Sequence, residues 1–341
     1  MRKLISVFLL TCLSSLLFGN EVEPVDSDKL ETREVEGEEI CFLKHSEEPY
    51  TGKSVEVCEN GNKLVENYYK GKQNGLTIVY YPNTMKACEG FYEDGKMVYA
   101  KSWMPNGSLC KFTNVTGGAG VAQVYHLNGK VEWRAEYSNG KLHGLETWWH
   151  ENGQKMSQLN HKGGELDGLE TGWYKNGQKK YENNWKDGQQ DGLSTEWYEN
   201  GQKEYEINWK EGQEDGLETE WYENGQKCLK VNWKDGKLHG LATRWNENGQ
   251  KELERNWKDG KENGPHFEWY ENGNKKYMGN WNFGKEDGIE TWWYENGQKQ
   301  QEAKYKEGKL DGVVIDYDKT GKETSRKSYF QGILKSEFKS R

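Results

Sequence analysis

Proline is scarce in this chain, with 5 in 341 residues, and only 33% of the residues are hydrophobic. The mean hydropathy is -1.13. So little apolar material excludes a conventional large core. Phe is sparse too, at 9, yet the chain holds 16 Trp, 20 Tyr and 41 Gly. Disordered filler lacks such aromatics, and helical proteins avoid so much glycine. An excess of positive charge is also missing: 47 Lys+Arg against 56 Asp+Glu give a net charge of -9 with both signs interspersed. No basic footprint for a phosphate backbone results, and nucleic acid is not an expected partner. The 6 cysteines form no CxxC pair and the 7 histidines are scattered, which argues against a zinc site.

Long apolar runs are absent except at the start. Arg2 and Lys3 precede the apolar stretches Leu4 to Leu10 and Leu13 to Phe18, followed by Gly19. Residues 1–19 therefore read as a secretory signal peptide, with cleavage near Gly19 or Asn20. An uncleaved anchor would need a longer run, since a bilayer takes about 20 apolar residues. Lipidation at Cys12 is the other alternative, and Thr11 fits it poorly. The expected location is secreted or periplasmic, with no transmembrane segment after the signal peptide. Residues 20–38, dense in acid, read as a solvated spacer. A hairpin folding Ile40 to Lys44 onto Val55 to Glu59 would bring Cys41 opposite Cys58, and a disulfide is expected there, with separate buried thiols as the alternative.

What is present in quantity is self-similarity. Gly120 recurs as Gly144, Gly168, Gly192, Gly216, Gly240, Gly264, Gly288 and Gly312, a period of 24 without insertion. Residues 118–335 form the regular array, 39–117 hold irregular earlier units, and 336–341 are a tail. A finer rhythm runs inside the array: Trp173, Trp185, Trp197, Trp209, Trp221, Trp233, Trp245, Trp257, Trp269, Trp281 and Trp293 fall every 12 residues, one per strand. Each unit reads as a β-hairpin, with strand Leu193 to Tyr198, a turn at Asn200-Gly201, strand Lys203 to Lys210 and a Gly/Asp-rich return. The expected fold is all-β, an elongated array of antiparallel hairpins forming one long twisted meander sheet.

Turn length decides the faces. A two-residue turn would put Trp197 with Glu204 and Glu206. A three-residue turn with Gly201 in the left-handed region gathers Leu193, Thr195, Trp197, Tyr205, Ile207 and Trp209 on one face, and that register is preferred. The same face would then carry two rows of Trp, with rungs about 9 to 10 Å apart.

The phrases Pro49-Tyr-Thr-Gly-Lys53, Trp-Tyr-Glu-Asn-Gly-Gln-Lys and Trp-Lys-Asp-Gly-Lys-Leu-His-Gly240 resemble MORN-repeat variants, as found in the YwqK-like antitoxin family. The resemblance runs from Tyr50 to about Gly332. It implies a protein-binding scaffold with an antitoxin or immunity role. Export is at odds with a cytoplasmic antidote.

Catalysis needs an asymmetric constellation, which repetition supplies badly. Glu196, Glu220 and Glu268 recur by the same rule, so no carboxylate pair stands out as acid and base. No phosphate loop or nucleophile elbow is present. Asp-Gly loops such as Asp187 to Gly192 share the composition of calcium sites, but adjacent lysines oppose a cation and Asp-Gly is turn chemistry. No enzyme, cofactor or metal is expected. The Trp rows are the candidate binding surface, for an unidentified protein partner or, alternatively, for a glycan stacked on the indoles as an envelope or carbohydrate-binding module would use them.

Overall fold

The computed structural model describes residues 23–36 and 38–339. The expected signal peptide and its cleavage site lie outside these residues. Among them the regular structure is almost entirely strand, with a single short 3-10 turn at Ser27–Lys29. No helix of the described residues is long and apolar enough to cross a membrane. Two compact units divide at Gly177 and Gln178.

The first unit opens with what the composition suggested was spacer. Val25–Asp26 pairs parallel with Gly52–Val57, and Leu30–Val35 pairs with Glu38–Leu43. One apolar anchor explains the difference, because Leu30 is buried against Cys41 and Tyr50 while the rest of its strand is half-buried or exposed. Glu38–Leu43 is thus committed to Leu30–Val35, and Gly52–Val57 pairs with Lys63–Tyr69. The proposed Cys41–Cys58 bridge is therefore corrected. Cys41 packs with Leu30 and Tyr50, Cys58 packs in a different cluster with Leu64 and Val79, and no disulfide joins them.

Gly75–Tyr80, Lys86–Glu93 and Lys96–Ser102 continue that sheet. After a connection without long strands, Gly120–Tyr125, Val131–Ser138, Lys141–Trp149 and Lys155–Lys162 pair in chain order as a second sheet. Residues from both sheets share one core around Trp133, Tyr92, Met97 and Leu64. This unit is stabilised in the ordinary way, by apolar burial between layers.

From Gln178 onward the period takes over. Gly192–Trp197 pairs with Lys203–Lys210, Gly216–Trp221 with Lys227–Lys234, and so on to Gly312–Tyr317 with Glu323–Phe330, always antiparallel and between chain neighbours. The sheet stays open, and the all-β meander expected from the period is the fold found. The last strand, Ile333–Lys339, continues into the stretch read as a tail.

Buried apolar residues are few here, chiefly Ile207, Val231, Ala242, Tyr277, Ala303 and Val314. Repeat-to-repeat hydrogen bonds supply what the core does not. The Tyr198 hydroxyl donates to the Trp221 carbonyl at 2.7 Å, Tyr222 to Trp245 at 2.9 Å and Tyr270 to Trp293 at 2.8 Å. Asn200 caps its own turn by accepting from the Gln202 N–H at 2.9 Å, and its amide donates to the Glu223 carbonyl at 3.0 Å. The recurring Tyr-Glu-Asn-Gly phrase is thereby explained as a set of bonds between successive units.

Candidate functional site

The faces of the sheet decide which side chains can act together. The turn is the three-residue form: the Gly201 N–H donates to the Tyr198 carbonyl at 2.9 Å, the Tyr198 N–H to the Gln202 carbonyl at 2.9 Å, and Gly201 has φ +85. Without a Cβ, glycine takes that left-handed conformation freely. A second irregularity follows at once. Trp197 pairs with Lys203 but Glu196 pairs with Tyr205, so Glu204 is an extra residue in the second strand. The same shift recurs between Glu220 and Trp221, Arg244 and Trp245, Glu268 and Trp269, and Trp292 and Trp293.

One extra residue moves every later side chain to the other face. The expected grouping of Trp197 with Tyr205, Ile207 and Trp209 is corrected accordingly. Gly192 faces Trp209, Ser194 faces Ile207 and Glu196 faces Tyr205, so these six share one face. Leu193, Thr195 and Trp197 lie on the other, opposite Asn208, Glu206 and Lys203. The Trp residues therefore form one row per face, and the two-row ladder proposed for stacking sugars does not exist.

The row of Trp173, Trp197, Trp221, Trp245, Trp269 and Trp293 belongs to the face with Leu193. The lysine 18 residues earlier lies over several of these rings: Lys155 is 5.4 Å from the centroid of Trp173, Lys179 5.6 Å from Trp197 and Lys203 5.7 Å from Trp221. Lys179 is held in turn by Glu182 at 2.5 Å, and Lys203 by Glu206. These three indoles thus serve as platforms for cations of their own chain.

The second row, Trp185, Trp209, Trp233, Trp257 and Trp281, lies on the face with Ser194, and there the repeat stops being constant. Steps of 24 from Glu146 meet Glu170, Ser194, Glu218, Ala242, His266, Glu290 and Val314. The facing column reads Ile207, Val231, Arg255, Gly279, Ala303 and Lys327 from unit to unit. Constant positions build the frame, and on this face both members of the cross-strand pair differ from unit to unit, whereas on the other face Glu206, Lys230, Glu254, Met278, Glu302 and Arg326 vary opposite a column that is mostly Thr. The sequence carries a signal for it, because residues aligned at 24 differ widely here while the Trp-Tyr-Glu-Asn-Gly phrase recurs whole at Trp197, Trp221, Trp269 and Trp293 and changes little elsewhere.

Acid is concentrated and buried on this face. Glu218 is 7% exposed and Glu290 6%. Burial pushes the Glu218 carboxyl up, a hydrogen bond from the Trp233 indole opposes this, and Glu220 and Glu214 push it higher again. Glu218 and Glu220 stand two residues apart on one strand and so on one face, where each disfavours the charge of the other. Tyr205 sits among Glu218, Glu220, Glu214 and Glu196, and burial followed by these charges raises its phenol strongly. Glu196 is raised by burial and by Glu204 beside it, with Lys180 opposing. At Glu290, burial dominates again, Tyr277 donates one hydrogen bond, and Oε1 has no partner.

Two places on equivalent positions show what satisfies such a site. In the first unit Glu146 accepts from the Trp133 indole at 2.8 Å, the Trp148 indole at 3.1 Å and faces His161 Nε2 at 2.8 Å. Burial raises this carboxyl, and those partners outweigh it so that the net shift is downward. In the second unit Arg255 lies among Glu262 at 3.1 Å, Glu268 at 3.9 Å and His266 at 3.1 Å. His266 is lowered to about 4 by burial and by Arg255, against the opposing Glu268. Among the described residues no group of three or more His, Cys, Asp or Glu is placed to hold a metal ion.

Comparison with known proteins fits this architecture. Six segments, residues 142–162, 166–187, 190–211, 214–235, 238–259 and 286–307, match the family described as MORN repeat variant. The unmatched unit between the last two contains Pro265 and His266. No curated protein matches the chain, so the narrower resemblance to YwqK-like antitoxins has no relative behind it. Among solved structures, that of TcdB2-TccC3 is similar at 12% identity and a TM-score of 0.18, with 80% of this chain aligned to 17% of that one. The structure of TcdB2-TccC3-Cdc42 is similar at 11% identity and a TM-score of 0.17, over 89% of this chain and 20% of that one. The chain thus spans a fifth or less of either structure's chain, and superposition this weak bears on nothing further. Over the six matched segments the chain carries the MORN repeat variant.

Proposed function

We propose that this protein is a non-enzymatic, exported repeat scaffold that binds a protein partner on the variable face of its regular units. One observation carries the reading. The constant residues of the repeat are spent on bonds between units, while the cross-strand column that begins with Ser194 and Ile207 changes in size and charge from unit to unit on one face of the sheet. A scaffold needs that division, because a fixed frame can present a changing surface without refolding. The immunity role implied by the YwqK-like resemblance is the narrower form of this proposal, with the partner a toxin encountered outside the cytoplasm.

Deletion of whole 24-residue units from the stretch Gly192 to Gly308 tests it. Partner affinity should fall stepwise as units are removed while the strand signal in circular dichroism scales with length. Unchanged affinity after removal of three units would overturn the proposal, as would a turnover abolished by one substitution in the array. Export is tested by fractionation, and the unprocessed precursor found in the cytosol would contradict it.

A further inference from the structure

The Tyr205 surroundings hold an imbalance that the chain itself corrects elsewhere. Glu196, Glu204, Glu214, Glu218 and Glu220 all act on this small area, and Lys180 is the cation that opposes Glu196. Three repeats earlier, the position of Glu218 is Glu146, where the place of Glu220 is taken by Trp148 and that of Trp233 by His161. There the carboxylate has three partners. Two repeats later, the position of Ile207 is Arg255, and its guanidinium pairs with the counterparts of Glu214 and Glu220, namely Glu262 and Glu268. The counterpart of Glu204 also pairs across when its sign allows: Lys276 lies 3.0 Å from Glu268. At Tyr205 neither compensation is built in.

Buried polar atoms around the acids add a second, independent observation. Ser194, 4% exposed, lies in the cross-strand row with Ile207 and Glu218, and its hydroxyl has no partner. Three repeats on from Glu218, Glu290 Oε1 is also left unpaired. The Ser194 hydroxyl oxygen and Glu290 Oε1 can both accept, and a bound cationic donor would satisfy them.

Resting on the scaffold reading, we propose that the partner is a basic polypeptide segment whose arginine and lysine side chains enter the acidic, aromatic sites at Tyr205 and at Tyr277. Arg255 shows that a guanidinium fits between these carboxylates in this frame. The indole and phenol rings beside them add cation–π attraction, and arginine is favoured because its planar fork matches paired carboxylates. The two sites are three repeats apart, about 29 Å at the usual strand spacing, a span that about 9 extended residues cover.

The test uses the full chain and a fluorescein-labelled nona-arginine peptide, read by anisotropy at 150 mM salt. Glu218→Gln with Glu220→Gln keeps the Trp233 hydrogen bond and should weaken binding about tenfold, or 1.4 kcal/mol. Glu223→Gln with Glu247→Gln removes the same charge from exposed turns and should change it less than about twofold. Ile207→Arg, copying the Arg255 arrangement, should block the peptide while circular dichroism shows an intact sheet. Equal effects of the two glutamine pairs, or no binding by the unaltered chain, would overturn the proposal. If unit deletions abolish capture of the partner but the Glu218 and Glu220 changes do not alter peptide binding, the cation site fails and the scaffold stands. The reverse pattern defeats the scaffold reading and leaves the site.

Discussion

Trp197 and Trp209, 12 residues apart in the sequence, lie on opposite faces of one hairpin: Trp197 stands across from Lys203, and Trp209 across from Gly192 in line with Ile207. The cause is the extra residue at Glu204. It separates a row of indoles, among them Trp173, Trp197 and Trp221 each under a lysine, from a row that borders the acidic, variable face. What looks in sequence like a single aromatic motif is therefore two, one belonging to the frame and one to the surface.

That register is directly testable by cross-linking. In a chain carrying Cys228→Ser, the pair Glu196→Cys and Tyr205→Cys should oxidise to a disulfide, because cross-strand neighbours have Cα atoms about 4.5–5.5 Å apart. Trp197→Cys with Tyr205→Cys should stay reduced, since the two side chains leave opposite faces. Thiol titration with mass spectrometry distinguishes them, and the opposite pattern would restore the register without the extra residue.

The turn and the bulge differ in how far the sequence discloses them. Gly201 was legible because a left-handed φ selects glycine and Asn-Gly marks such turns. Glu204 was not, because an ordinary bulge uses φ values open to any residue and leaves no compositional mark. The period likewise disclosed the array, whereas the strand Leu30–Val35 was hidden by its acids, because Leu30 is its one buried residue and a single apolar side chain makes no pattern. The acidic site needed the register, since Glu218 and Tyr205 share a face only once the extra residue is placed.

Replacing Gly201 with Val should destabilise the second unit by about 1–3 kcal/mol, because a β-branched residue resists positive φ. Gly201→Asn should cost clearly less, as Asn tolerates the left-handed region. Added atoms meet only the Gln178 side-chain end at 3.1 Å, so backbone strain sets the difference. Urea unfolding of the three proteins checks the order, and equal losses for Val and Asn would count against a left-handed turn.

Tyr270→Phe removes the hydroxyl that donates to the Trp293 carbonyl at 2.8 Å. The expected loss is about 0.5–1.5 kcal/mol, with the partner left to water. Adding Asn272→Ala, which takes away the bond to the Glu295 carbonyl at 3.0 Å, should lower stability again, because both bonds tie one unit to the next. Thermal unfolding indistinguishable from the parent would show these ladders to be incidental.

His266 makes stability fall in acid. Its folded value of about 4 lies below the ordinary 6.5, owing to burial and to Arg255, against the opposing Glu268. The folded state thus keeps the ring neutral while the unfolded chain protonates, so unfolding takes up roughly one proton between those values. Stability from this group is complete above pH 6.5 and is lost as the pH falls towards about 4. His266→Gln should flatten that part of the pH profile, and an unchanged slope would place the titration elsewhere.

Glu218 acts with the opposite sign. Its carboxyl is raised above the ordinary 4.5 by burial, with Glu220 and Glu214 adding to the rise. The folded protein therefore holds the proton more tightly than the unfolded chain, and stability declines as the pH climbs through the range above 4.5. Glu218→Gln keeps an acceptor for the Trp233 indole and removes the charge, so the variant should be the more stable of the two near pH 7 and match the parent at low pH. Nona-arginine should have the same effect on the parent at neutral pH and almost none on the variant, because it supplies the missing countercharge only where there is a carboxylate to meet it. Chemical unfolding at a series of pH values, with and without the peptide, measures both. A stability difference between variant and parent that does not grow above pH 4.5 would mean that Glu218 is already balanced by a cation of its own chain.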